Sequence, residues 1–358
     1  MTALLVAISL LSMSVAFAAD DGNPQNSVAE TDIALLNQKV DEASELYDSG
    51  NYGDAVQSAS EAIALNPQNA NAYFRRGTAY NELGQHEQAI ADLDKAIELN
   101  PNDAVAYNNR GVAYCNLNQY ERAIDDYDKA IALDPNDAMA YTNRGGAYNE
   151  LEQYERAIQD LDKAIELDPN YAAAYTNRGV AYYHLKQYER AIDDYDKAIA
   201  LNPNYVAAYN NRGGAYYYQQ QYERAITDYD KAIALDPNDA MAYTNRGTAY
   251  NELGQHEQAI ADLDKAIELK PDYAAAYYNR GFAYNDLKQY AQAITDYDKA
   301  IALNPNYVAA YNNRGNLYDD LKQYERAIAD YDRAIALDPN LAVAYNNRGN
   351  AYNDLKQY

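Results

Sequence analysis

The chain of 358 residues has no tryptophan, a single cysteine at Cys115 and only three histidines, His86, His184 and His256. One cysteine excludes an intramolecular disulfide, and its distance from the N-terminus excludes lipoprotein-type acylation. A small, weakly polar helix position accounts for it. No two histidines stand at a spacing that ligates metal or builds a catalytic triad. His86 and His256 substitute for Tyr120, Tyr154 or Tyr188 at a packing position, and His184 stands alone. No glycine-rich loop suits a phosphate. The Asp-x-Asp of Asp126 and Asp128 lacks the later oxygen ligand and glycine of a calcium loop, where Ala130 and Ile131 stand, and reads as a solvated helix face. The expectation is a protein with no catalytic residue, metal or cofactor, and so not an enzyme.

Positive charge is scarce as well. Fifty-four acidic side chains against 29 basic ones give a formal charge of -25, spread evenly along the chain. Such a field repels phosphate backbones and anionic headgroups, which excludes nucleic acid and membrane surfaces as natural partners and favours a neutral to basic protein or peptide. Residues 1–19 form an apolar run ending in Ala16-Phe17-Ala18-Ala19 and read as a signal peptide, predicting an exported chain, periplasmic or secreted. Because nothing basic precedes the run, an uncleaved anchor or a misplaced start stays open. Residues 20–35 read as a polar linker.

What the chain does have is repetition. From Ala70 to Leu341 one 34-residue unit returns eight times, with Ala-Tyr-x-Asn-Arg-Gly in phase at Tyr107, Tyr141, Tyr175, Tyr209, Tyr243, Tyr277, Tyr311 and Tyr345. A unit this short cannot enclose a core, so it must stack on its neighbours. In the unit from Ala104 to Asp137, Tyr107, Gly111, Tyr114 and Leu117 form one helical stripe, and Ala123, Tyr127 and Ala130 a second. Asn118 and Gln119 turn the chain between them, and Pro135 ends the second helix. Asn136 and Asp137 offer caps to the next helix. A glycine inside a helix costs about 1 kcal/mol, so Gly111 and its counterparts imply the close approach of a neighbouring helix.

Tyr107, Gly111, Tyr114, Ala123, Tyr127, Ala130 and Pro135 match, place by place, the signature of tetratricopeptide repeats, and the chain resembles that family. The resemblance runs from a divergent copy at 36–69, through the eight regular units at 70–341, to the first helix of an incomplete unit at 342–358. It implies an all-α solenoid, a right-handed superhelix of antiparallel helix hairpins with the first helices lining the concave face. The series Arg76 to Arg348 departs from the family's apolar residue at that place. These side chains read as cations with buried stems, paired to carboxylates between units.

Opposite the apolar stripe, asparagine recurs as Asn109, Asn143, Asn177, Asn211, Asn245, Asn279, Asn313 and Asn347, with Arg75 in the first unit, while its neighbours vary. An amide carries the donor and acceptor that a peptide backbone itself presents, so a row of them can grip extended polypeptide without reading side chains. This is similar to the asparagine ladders of the O-linked sugar transferases and of some nuclear-import receptors. A solvated polar face inherited by duplication is the alternative, since 77–99 is identical to 247–269. Glu82, Glu150, Glu252, Asp286, Asp320 and Asp354 line the same groove, and Tyr183, His184, Tyr217 and Tyr218 form either an aromatic landing site or groove filler. The family's clamp for a C-terminal carboxylate is not expected, because Val105, Met139 and Ala173 replace its lysine. At the far end Tyr345, Tyr352 and Leu355 lack a hairpin partner, which predicts self-association or docking to a folded partner as the other binding class.

Overall fold

The computed structural model describes the backbone of residues 24–356 and the side chains of 32–356. The signal peptide expected at 1–19 lies outside the described residues. All regular structure among the described residues is helical, in two compact units, the first ending at Leu133 and the second beginning at Asp134. The first unit holds α1 Pro24–Asp48, α2 Tyr52–Leu65, α3 Ala70–Glu82, α4 His86–Leu99, α5 Ala104–Asn116 and α6 Tyr120–Leu133. The second holds α7 Ala138–Glu150, α8 Tyr154–Leu167, α9 Ala172–His184, α10 Tyr188–Leu201, α11 Val206–Tyr218, α12 Tyr222–Leu235 and α13 Ala240–Glu252. It continues with α14 His256–Leu269, α15 Ala274–Asp286, α16 Tyr290–Leu303, α17 Val308–Asp320, α18 Tyr324–Leu337 and α19 Ala342–Lys356. Each unit is a helical-repeat solenoid in which a hairpin packs its second helix against the first helix of the next hairpin.

The linker expected at 20–35 is corrected: the chain is helical from Pro24 onward. Proline is well suited to a first helical position, where its missing N–H leaves no bond unmade, and no glycine or further proline follows until Gly50. Leu36, Val40 and Ala43, spaced four and three, anchor α1 in the core.

Local sequence explains each hairpin. Asp103, Asp137 and Asp239 cap α5, α7 and α13 through their carboxylates, as does Asn69 for α3 through its amide oxygen. Where Tyr171, Tyr205, Tyr273 or Tyr307 takes that place, no side-chain cap forms and the ring is instead half-buried. First helices end in a left-handed residue, as at Asn118 with φ 57° and Lys186 with φ 58°. The Gln119 N–H then bonds back to the Tyr114 carbonyl at 2.8 Å, which satisfies an end that would otherwise be open.

The core is thin and repeats. Around Tyr182, Tyr195, Ala191 and Ala215 one cluster takes in Ile158 and Ile192, and around Tyr175, Ala198 and Ala208 another takes in Ile165 and Ile199. Gly179 is the notch for Tyr195: a Cβ there would stand 2.6 Å from Cε1 of the ring. Gly111 accepts Tyr127 and Gly213 accepts Tyr229 in the same way. On α19 the side chains of Val343, Tyr345 and Tyr352 are exposed, while Leu355 packs against the cluster that holds Tyr318, Tyr331 and Ala351.

Two tests follow from this packing. Gly179→Ala should destabilise the chain in urea titrations by about 1 to 3 kcal/mol, because overpacking against the ring outweighs the gain in helix propensity. Gly349→Ala, where a Cβ meets nothing within 4 Å, should instead stabilise by up to about 1 kcal/mol. Burial raises the hydroxyls of Tyr127, Tyr195, Tyr229, Tyr297 and Tyr331 well above the ordinary tyrosine value. A folded-state pKa raised above the unfolded one contributes stability that is complete below a pH of roughly 10 and is lost as pH climbs through the folded value. Helical circular dichroism should therefore hold to about that pH and then fall in the same step in which the last, buried tyrosines ionise, after the exposed ones have titrated; ionisation of all 40 tyrosines in a chain that stays helical would refute this.

Candidate functional site

The face that the asparagines occupy is oriented by their neighbours in sequence, the arginines. Arg178 donates from Nε and Nη2 to both carboxylate oxygens of Asp194 in its own hairpin, at 2.8 and 2.7 Å, and from Nη1 to Asp162 of the preceding repeat at 2.6 Å. Arg212, Arg246, Arg280 and Arg314 make the same three bonds in the second unit, and Arg110 makes them to Asp126 and Asp94 in the first. Each of these guanidiniums also lies near the tyrosine three residues before it, as Arg178 does 5.7 Å from the Tyr175 ring centre. Burial pushes the Asp194 carboxyl above the usual range, and the bonds from Arg178 oppose that rise. The solvated Asp-x-Asp face expected at Asp126 and Asp128 is corrected, since Asp126 is buried on Arg110 and Asp128 is exposed. Residues two apart on a helix point about 200° apart, so one of any such pair faces the partner helix.

With the arginine held on one side, the asparagine before it lies on another. All eight asparagines expected to form the ladder are half-buried. In the first unit the Asn109 amide donates to the Val105 carbonyl of its own helix at 2.9 Å. In the second, Asn313 donates to the Tyr278 hydroxyl at 3.0 Å and Asn347 to the amide oxygen of Asn316 at 2.9 Å. Among the described residues the side-chain amides of Asn177, Asn211, Asn245 and Asn279 make no hydrogen bond. The backbones of Asn177 and Asn279 are nevertheless held. Asn149 donates from its side chain to the Asn177 carbonyl at 2.8 Å, and Asn251 to the Asn279 carbonyl at 3.0 Å. Sequence reading overlooked these positioning asparagines, because Cys115, Tyr183 and Tyr217 share their place and break the pattern.

In the two repeats that carry Tyr183 and Tyr217 at that place, rings occupy the space. Tyr183, His184, Asn211 and Asn245 come together around a cavity of about 150 Å³, with Val180 and Gly214 in its wall. Tyr183 lies 5.6 Å from Tyr218, and Tyr218 lies 5.6 Å from Tyr217, both edge to face. Three tyrosines not singled out from sequence join them from the starts of second helices. Tyr154 stacks on His184 at 5.0 Å, Tyr188 on Tyr218 at 5.8 Å, and Tyr222 meets Tyr217 at 5.4 Å. The readable signal was an aromatic a few residues ahead of the turn recurring with one just behind it. The Tyr217 hydroxyl donates to Glu252 at 3.0 Å, and burial together with that carboxylate pushes its pKa up.

Among the described residues no three histidine, cysteine, aspartate or glutamate side chains are grouped to hold an ion. Nor, among them, is any helix long and apolar enough to cross a membrane.

Comparison with known proteins agrees with this geometry. Family models described as tetratricopeptide repeat match residues 104–137, 172–205, 274–307 and 308–341, and residues 126–159 and 194–227. A model described as TPR repeat matches 43–84, 77–117, 145–186, 213–254 and 247–288. A tetratricopeptide repeat protein from Parabacteroides merdae is similar in fold, with TM-score 0.58 over 70% of this chain and 100% of that one at 22% identity. PilF of Pseudomonas aeruginosa gives TM-score 0.51 over 58% and 94%, at 25% identity. YrrB, described as a TPR protein with an unusual peptide-binding site, gives TM-score 0.42 over 51% and 95%, at 28% identity. No curated protein matches.

Removing the clamp should expose its energetic weight. Arg178→Met leaves the Asp194 carboxylate buried without its partner and should destabilise by about 3 kcal/mol at neutral pH. That deficit should shrink as pH falls and Asp194 takes up a proton, because the penalty belongs to the charged form. Chemical denaturation at several pH values measures it; a deficit that does not vary with pH would show that the loss comes from packing alone.

Proposed function

Because the chain belongs to the tetratricopeptide repeat family, whose members are protein-interaction scaffolds, we propose that its second unit holds extended, neutral-to-basic polypeptide along the first-helix face. The grip comes from the amides of Asn177, Asn211, Asn245 and Asn279. Each offers a donor and an acceptor, the pair that a peptide backbone presents, so the hold is tolerant of ligand sequence. The observation that carries this reading is the meeting of Asn211 and Asn245, from successive repeats, around one hollow beside Tyr183 and His184. Neighbouring first helices at roughly 10 Å and an extended ligand advancing about 3.3 Å per residue would bring one amide to about every third ligand residue. Carboxylates at Glu150, Glu252 and Asp286, all exposed, set the preference for neutral or basic segments. The protein acts by binding and not by catalysis, in the exported compartment that residues 1–19 suggest.

A second reading, association through α19, has the exposed Val343, Tyr345 and Tyr352 in its favour, and a molecular mass independent of concentration in light scattering would reject it. For the amide grip, replacing Asn177, Asn211 and Asn245 together by alanine should lower the affinity for unstructured neutral or basic peptides about tenfold or more, each lost hydrogen bond contributing about 0.5 to 1.5 kcal/mol. Fluorescence anisotropy reads the affinity and circular dichroism checks that helicity is unchanged. Wild-type affinity in the triple variant would reject the grip.

A further inference from the structure

Tyr218 is 58% exposed, which is unusual for so large a ring, yet it is not loose. Tyr188 backs it in a stack at 5.8 Å with 12° between the planes, and Tyr183 and Tyr217 brace it at nearly right angles. The ring is thus held in one orientation by three neighbours while keeping free surface. Two carboxylates are bonded to its chain neighbours. Glu189 follows Tyr188 directly and accepts at 2.7 Å from Gln219, the residue after Tyr218, while Glu252 accepts from Tyr217.

The same two repeats show what such a ring takes. Arg190 lies 3.9 Å from the centre of the Tyr182 ring, and Arg224 lies 3.9 Å from that of Tyr216. Both guanidiniums are also bonded to the hydroxyls of those rings, so neither is free to cover Tyr218. A planar cation stacked on tyrosine is therefore an arrangement this fold already uses, and Tyr218 presents the ring without the cation.

We propose that Tyr218, backed by Tyr188, receives an arginine side chain of the bound polypeptide, its guanidinium lying on the ring and Glu189 and Glu252 supplying negative charge. Arginine is favoured over lysine because the guanidinium is flat and weakly hydrated, so that it stacks where an ammonium stays in water. The inference rests on the proposed amide grip for the rest of the ligand, and adds a side-chain preference that the amides alone do not provide.

The test uses the full chain and two labelled serine–threonine peptides, identical except that one carries a single arginine and the other a single lysine. On the wild-type chain the arginine peptide should bind about threefold to tenfold more tightly. Tyr218→Ala should bring the two to equal affinity without loss of helicity, since the side chain is mostly exposed, and Tyr218→Phe should keep the preference because it keeps the ring. Equal affinities on the wild type, a preference that survives Tyr218→Ala, or an equal drop for both peptides in that variant would overturn the arginine site and leave the amide grip standing. An arginine preference retained in the triple asparagine variant at undiminished affinity would overturn the grip and leave this site. Failure of both peptides to bind would overturn the two together.

Discussion

One side chain sets both the hairpin and the joint between hairpins. Arg178 holds Asp194 of its own repeat with two parallel bonds and Asp162 of the repeat before with a third, so a single rigid fork ties three helices. A bidentate guanidinium–carboxylate pair tolerates little rotation, and desolvation of Asp194 makes misalignment costly. Successive helical residues point about 100° apart, so fixing Arg178 also aims Gly179 at the second helix and turns Asn177 to another side. The orientation of the asparagine face is in this sense a by-product of an ion pair.

That arrangement explains how a chain with so little bulk holds together. The buried apolar residues are mostly alanines, which give small transfer energies, and the volume between them is filled by one large side chain per hairpin seated over a glycine, a ring such as Tyr195 or Tyr229 or a leucine such as Leu161 or Leu263. Rings seated on glycine bring two helices close; arginines hold neighbouring hairpins in phase; asparagines such as Asn149 and Asn251 fasten a carbonyl of the next first helix. Each contact is modest, and repetition supplies the sum.

Legibility followed the reach of each interaction. The hairpins could be read because their determinants are local: the helical stripe of Tyr107, Gly111 and Tyr114, the turn at Asn118, and the stop at Pro135 act within a few residues. The start of α1 was misjudged because a polar, proline-led stretch looks like linker until a partner helix is there to bury Leu36 and Val40. Asp126 was misjudged for a related reason, since composition alone does not tell which of two carboxylates meets a guanidinium sixteen residues away. Tyr188 was taken as a packing residue; its ring reaches Tyr218 of the next repeat only because the hairpins stack, while Tyr222 meets Tyr217 because left-handed Gln220 folds the chain back between them.

The asparagine series shows where sequence stops. Its period and place on the first helix were settled by the amino-acid order, because helical phase is a property of spacing. Which amides stay uncommitted was settled only by packing. Asn313 and Asn347 meet Tyr278 and Asn316 from adjacent repeats, while Asn177, Asn211, Asn245 and Asn279 meet no such partner. Asparagines at one place in the repeat thus differ through contacts formed across repeats, and a hydrogen bond depends on where two groups come to rest and not on how far apart they lie in the chain.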